Sequence, residues 1–125
     1  MYDNKIKSFK DLKVWQEAHK LSLEIYKQTK FFPKDEIFGL TSQMKRSAIS
    51  VTSNIAEGFN RKSYKEKVNF YYISLGSISE LQNQILISKD IGYLKNDEFK
   101  DMFDKSISVH KMLNGLIKSS RAYYS

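Results

Sequence analysis

The sequence predicts an all-α protein, an antiparallel up-down-up-down four-helix bundle, on three observations. Apolar residues recur at helical spacing in four long stretches. The connections between these stretches are short and carry the residues that start or stop helices. Glycine and proline are scarce, five and one among 125 residues, too few for the many turns of a β-sandwich. The length suits one core, so residues 1–125 are read as a single domain.

The first helix is expected over about 9–30. Ser8-Phe9-Lys10-Asp11 has the form of a capping box, with a hydroxyl and a carboxylate answering orphan amides. Val14, Ala18, Leu21 and Ile25 then recur on one face, widened by Leu12, Trp15 and Tyr26. Pro33 ends it, because proline pushes the preceding residue out of the helical region. The second helix, about 40–58, carries Leu40, Met44, Ala48, Val51, Ile55 and Phe59, with Gly58 expected as a left-handed C-cap.

The third helix is expected over about 64–91, opened by a second capping box at Ser63-Tyr64-Lys65-Glu66. Val68, Tyr71, Leu75, Ile78, Leu81 and Ile85 form its stripe, and Gly92 is its C-cap. The fourth, about 97–121, begins at Asn96-Asp97-Glu98, where acids suit the positive end of the helix dipole. Phe99, Met102, Val109, Leu113 and Leu116 face its core, and Lys118 and Arg121 suit its negative end.

Several chemistries lack their residues. Without cysteine there are no disulfides, thiolate metal sites or cysteine nucleophiles. The histidines, His19 and His110, are preceded three residues earlier by Gln16 and Ile107, so the Glu-x-x-His pairs of di-iron bundles do not form. HExxH and the glycine-rich phosphate loops are missing too. The expectation is a non-enzymatic protein with no catalytic residue, no metal and no cofactor. The first residues show no apolar signal segment, and no run reaches the ~20 apolar residues of a membrane span, so a cytoplasmic place away from membranes is expected.

One polar stripe stands out. Gln43, Arg46, Ser50, Asn54, Glu57 and Arg61 share a line on the second helix. On the third, Glu80 and Gln84 stand among Ile73, Gly76, Ile87 and Ile91. A carboxylate at so apolar a site needs a partner, and Arg46 or Lys45 would supply it within the subunit or across an interface. The stripe reads either as a solvated face or as an interhelical or intersubunit network of Gln43, Arg46, Asn54, Glu57, Glu80 and Gln84. Phe70, Tyr71, Tyr72 and Ile73 point around the whole cylinder, which favours self-association, and Gly76-Ser77 suggests close approach of another backbone.

Threading the chain through the bundle also locates its net charge of +7. One end collects ten bases (Lys5, Lys7, Lys10, Lys13, Arg61, Lys62, Lys65, Lys67, Lys118 and Arg121) against Asp3, Asp11, Glu57 and Glu66, a net of +6. The opposite end is close to neutral. Tyr2, Phe9, Phe59, Tyr64, Tyr123 and Tyr124 fall at the basic end. Bases interleaved with aromatics suit phosphates and unpaired bases, so Lys10, Lys13, Arg61, Lys62, Lys65, Lys67, Lys118 and Arg121 are the expected nucleic-acid contacts. The bland alternative is that the tyrosines pack the bundle's end and the lysines keep it soluble. Lys13, Lys20 and Lys27, alternating with Glu17 and Glu24, read as an ordinary solvated line.

These residues resemble a known family. Phe9-x-Asp11-Leu12-x-Val14-Trp15-x-x-Ala18 and Phe32-Pro33-x-x-Glu36-x-Phe38-Gly39-Leu40-x-x-Gln43 resemble the start of the bacterial ribosomal RNA intervening-sequence proteins. Arg46-x-Ala48-x-Ser50-Val51-x-x-Asn54-Ile55-Ala56-Glu57-Gly58-Phe59-x-Arg61 is more specific, and Leu75-Gly76-Ser77-x-x-Glu80-Leu81-x-x-Gln84 completes the pattern over about residues 8–120. The resemblance implies a four-helix bundle assembling as a homopentamer, with recurrent polar positions at Gln43, Arg46, Asn54, Glu57 and Glu80 and no catalytic residues to carry over. Thr52 departs from the proline or small residue common there, which bears on a local kink. Together the readings favour a homo-oligomer that binds RNA or DNA, RNA above all, through its basic end. The alternative is a protein–protein adaptor that docks an acidic partner.

Overall fold

This computed structural model describes residues 6–124, with the side chain of Tyr124 left aside. Four α-helices follow one another: α1 Lys13–Thr29, α2 Leu40–Asn60, α3 Tyr64–Asp90 and α4 Asn96–Tyr124. Among the described residues there is no strand. Each helix packs on its two neighbours around a square, α1 on α2 and α4, and α3 on α2 and α4. The diagonal pairs lie apart, as an up-down-up-down bundle requires.

The first capping box forms, yet it opens a 3₁₀ turn, Phe9–Asp11, rather than the long helix. Ser8 Oγ accepts from Lys10 N at 3.1 Å, and Asp11 Oδ2 accepts from Ser8 N at 3.0 Å. Leu12 is extended, and α1 starts at Lys13. The third helix starts where expected, with Ser63 Oγ accepting from Glu66 N at 3.2 Å. Its box is only half formed, since the Glu66 carboxylate accepts from the Ser63 hydroxyl at 3.1 Å rather than from the Ser63 backbone. At the head of α4 the backbone of Lys95, one residue before Asn96, donates to Glu98 Oε1 at 3.2 Å.

The two glycine caps have different fates. Gly92 has φ 89°, and Tyr93 N→Ser88 O (2.8 Å) with Gly92 N→Lys89 O (3.0 Å) closes α3 in a Schellman motif. Gly58 is no cap, because it lies inside α2 and has no positive φ. What it supplies is room. A Cβ there would stand 2.6 Å from Tyr71 Cε1, and Tyr71 is fully buried. Helix α2 runs on to Asn60, unbroken at Thr52, whose hydroxyl donates to Ile49 O at 3.1 Å.

Most of the residues the periodicity marks form the core, but Tyr26, expected to widen the α1 stripe, is exposed, and Phe59, Leu75 and Phe99 are only partly buried. Leu21, Ile25, Met44, Val51, Ile55, Ile78, Leu81, Ile85, Met102, Val109 and Leu113 are all fully buried. Between α2 and α3, serines bond across the seam: buried Ser74 Oγ donates to Val51 O at 2.7 Å, and half-buried Ser50 shares a hydroxyl contact of 2.7 Å with buried Ser77. Gly76, in contrast, is exposed and meets nothing within 4 Å, so among the described residues no other backbone approaches it. Glu24 leaves the solvated line expected of it. Lys105 of α4 reaches it at 3.0 Å and also holds Asp101 at 2.7 Å. Burial, followed by the neighbouring Asp101 carboxylate, pushes the Glu24 carboxyl up from its ordinary value.

Candidate nucleic-acid interface

The basic end is assembled from three parts of the chain: the 3₁₀ turn with the head of α1, the α2–α3 turn and the end of α4. The 3₁₀ turn packs on α2, which sets Lys7 and Lys10 beside the end of that helix. The extended residue Arg61 leads into the Ser63 cap, leaving Lys62 and Lys65 exposed on the α2–α3 turn. The last turns of α4 return to the same place, where Arg121 Nε donates to Tyr64 OH at 2.9 Å. That contact fixes the guanidinium, and the Tyr64 phenol raises its pKa further above the ordinary value. Lys7, Lys10, Lys13, Arg61, Lys62, Lys65, Lys118 and Arg121 are all exposed there, facing the acids Asp11, Glu57 and Glu66.

Lys67 does not belong with them, although the sequence placed it among the contacts. It is 5% exposed, and its Nζ donates to Phe59 O at 2.7 Å, satisfying a carbonyl left open by the end of α2. Burial lowers its pKa, as expected for an ammonium taken out of water. Arg61 is exposed yet engaged, bound to Glu57 at 3.0 Å and lying 4.8 Å from the Phe70 ring centre. The aromatics also serve packing more than display. Phe9 meets Trp15 edge-on at 5.4 Å, Trp15 stacks on His19 at 4.7 Å, and Phe59 lies beneath Lys67. Tyr123 stays half exposed. Tyr2, Asp3 and Lys5 and the Tyr124 side chain lie outside what is described.

The polar stripe on α2 borders α3, and one part of it forms an interhelical network. Asn54 Nδ2 donates to Ser50 O at 2.8 Å and lies 3.1 Å from Ser50 Oγ, which in turn meets Ser77. Glu57 turns instead to Arg61. Gln43, Arg46 and Glu80 line a common recess on the outer α2–α3 face. Gln43, Glu80 and Gln84 line a neighbouring groove with Glu36, Asn83 and Ile87. Arg46 and Glu80 nevertheless form no ion pair among the described residues. Lys45 cannot take that role, since its ammonium sits 4.8 Å over the Tyr26 ring on the α1 side. Gln84 is buried, and its Oε1 accepts no hydrogen bond among the described residues.

A family model described as 23S rRNA-intervening sequence protein matches residues 10–115 of this fold. The chain belongs to that family. Among solved structures it resembles one titled a protein of unknown function from the S23 ribosomal protein family of Bacteroides thetaiotaomicron. The TM-score is 0.77 at 20% identity, covering 84% of this chain and 95% of that one, a likeness of fold. No curated protein matches the chain.

This member of the family holds features that patterning did not reveal. Glu36 accepts from Leu40 N at 3.1 Å and from Tyr93 OH at 2.8 Å, tying the head of α2 to the α3–α4 turn. Nothing in the local sequence pairs two residues 57 apart. Lys111 and Asn114 extend the basic end along α4 with Lys118 and Arg121, and here a signal existed. Spacings of three, four and three along α4 place them on one helical stripe. Among the described residues no cluster of His, Cys, Asp or Glu could hold a metal, and no helix is long and apolar enough to cross a membrane.

Proposed function

We propose that this protein is a non-catalytic, homo-oligomeric bundle of the cytoplasm that binds nucleic acid, RNA above all, through its basic end. The observation that carries the reading is the collection of eight exposed bases from the 3₁₀ turn, the α2–α3 turn and the end of α4 against three acids. Cations gathered on one surface release counterions from a polyphosphate backbone, and that release drives association. Self-association, as the homopentamer that the family resemblance implies, is supported by the outer α2–α3 face. Ile73, Ile87 and Ile91 are about half exposed there, beside a Glu80 with no ion-pair partner among the described residues. A second copy would cover the isoleucines and offer its Arg46 to that carboxylate.

A second reading is an adaptor docking an acidic partner protein. It draws on the engagement of Phe9, Phe59 and Tyr64 in packing, which leaves point charges more than stacking surfaces. Titration with RNA, DNA and polyglutamate over a salt series separates the two. Tighter binding to RNA, weakening steeply with salt, supports the first. Binding to polyglutamate alone supports the second, and no nucleic-acid binding at ~50 mM salt refutes the first.

A further inference from the structure

Beside the basic end, between α3 and α4, lies a groove of about 420 Å³ that includes Tyr72, Lys111, Asn114, Gly115, Lys118 and Arg121 in its walls. No acidic residue among those described lines it, unlike the α2–α3 groove with Glu36 and Glu80. Its size falls within the range of small-ligand sites. Lys111, Asn114, Gly115 and Lys118 lie on one stripe of α4, and Tyr72 of α3, 49% exposed, stands opposite. Arg121 is held at one end through its Nε bond to Tyr64. Among the described residues the Asn114 side chain meets only His110, at a long 3.4 Å.

Gly115 is the telling residue. It sits inside α4, where glycine weakens a helix, and packing among the described residues does not explain it. A Cβ added there would meet nothing within 4 Å, so no described neighbour requires its absence. The glycine instead leaves a bare floor in a cationic groove, where a flat group from another molecule can lie against the helix.

We propose that this groove seats one unpaired nucleotide of a single-stranded polynucleotide. The base lies between Tyr72 and the Gly115 floor, Asn114 meets its edge, and Lys111, Lys118 and Arg121 hold the flanking phosphates. The proposal rests on the nucleic-acid reading above and narrows it from a charged surface to one recess. Stacking on an aromatic ring adds an attraction that a charged surface alone does not have.

Fluorescence anisotropy with three labelled strands of equal length tests it: an oligoadenylate, its deoxy counterpart and an abasic strand. The intact protein should bind at least one base-bearing strand about fivefold or more tighter than the abasic one. The ribo and deoxy strands report which polymer is preferred. Gly115→Leu, at an exposed position open to a larger side chain, should keep the fold and bring the base-bearing strand down to the abasic level. Tyr72→Ala should do the same. Equal affinity of the intact protein for all three strands overturns the recess and leaves the charged end standing. So does unchanged binding by Gly115→Leu, or a Gly115→Leu protein whose assembled mass falls in light scattering, which marks the groove as a contact between copies. Failure of the intact protein to bind any strand overturns both.

Discussion

Replacing Gly58 with alanine tests how α2 and α3 reach their spacing. The added Cβ would stand 2.6 Å from Tyr71 Cε1, 2.9 Å from Tyr71 Cδ1 and 3.1 Å from Lys67 O. Carbon atoms prefer about 3.5–4.0 Å, so the ring or the α3 backbone must move by close to an ångström. Tyr71 is fully buried, so its ring cannot relieve the contact by simply swinging into solvent. Overpacking of this kind costs about 1–3 kcal/mol, offset by about 0.5–1 kcal/mol from replacing a helical glycine. The two ranges leave a net loss of about 0–2.5 kcal/mol. A contact as short as 2.6 Å places it at about 1–2 kcal/mol, or roughly 3–10 °C in Tm for a domain of this size. Urea unfolding followed by circular dichroism reads it directly. Combining Gly58→Ala with Tyr71→Leu removes the ring, so the pair should cost less than the sum of the singles by at least ~0.5 kcal/mol. Gly76→Ala, at a position with nothing within 4 Å, should add about 0.5–1 kcal/mol. A Gly58→Ala protein as stable as its parent, or strict additivity with Tyr71→Leu, would refute the close-approach account.

Lys67→Met leaves Phe59 O without its charged donor and should lower stability by about 1–3 kcal/mol near neutral pH. Because burial depresses the folded-state pKa of Lys67, the parent gains stability from this group as pH rises from that value toward 10.5. The gap between parent and variant should therefore widen over that window, read from urea midpoints at stepped pH. Lys105→Met removes the cation shared by Glu24 and Asp101 and should cost about 1 kcal/mol at neutral pH. Since the Glu24 pKa is already raised in the fold, protonation favours the native state, and the deficit should shrink as pH falls through that raised value. Tyr93→Phe should loosen the head of α2, seen as faster hydrogen exchange at Leu40. In the parent, the Tyr93 phenol should ionise above 10.0 by tyrosinate absorbance, because Glu36 accepts its proton.

The bundle was legible because its information is local and periodic. Val14, Ala18, Leu21 and Ile25 sit on one face by spacing alone, and Ser63 and Gly92 announce helix ends through their own backbone chemistry. Gly58 misled because the same residue type answers two demands, a left-handed cap and a missing Cβ. Only the position of Tyr71 distinguishes them. Lys67 misled for a related reason. It stands between exposed Lys65 and buried Val68, and a flexible ammonium that folds back onto a helix end leaves no pattern in the chain. The polar stripe was found, but which of its members pair was settled by register across the α2–α3 seam. Ser50 meets Ser77, while Arg46 and Glu80 share a recess without bonding.

The central claim is that the collected charge of one end binds a polyphosphate chain, and the slope of log affinity against log salt tests it most directly. Single-stranded RNA should show a clearly negative slope. Lys62→Glu with Lys65→Glu should make that slope shallower by at least ~1, since each lost phosphate contact removes about 0.7. The same reversals at Lys27 and Lys30, at the far end of α1, should leave it unchanged. No binding at ~50 mM salt, or a slope indifferent to Lys62 and Lys65, would contradict the account.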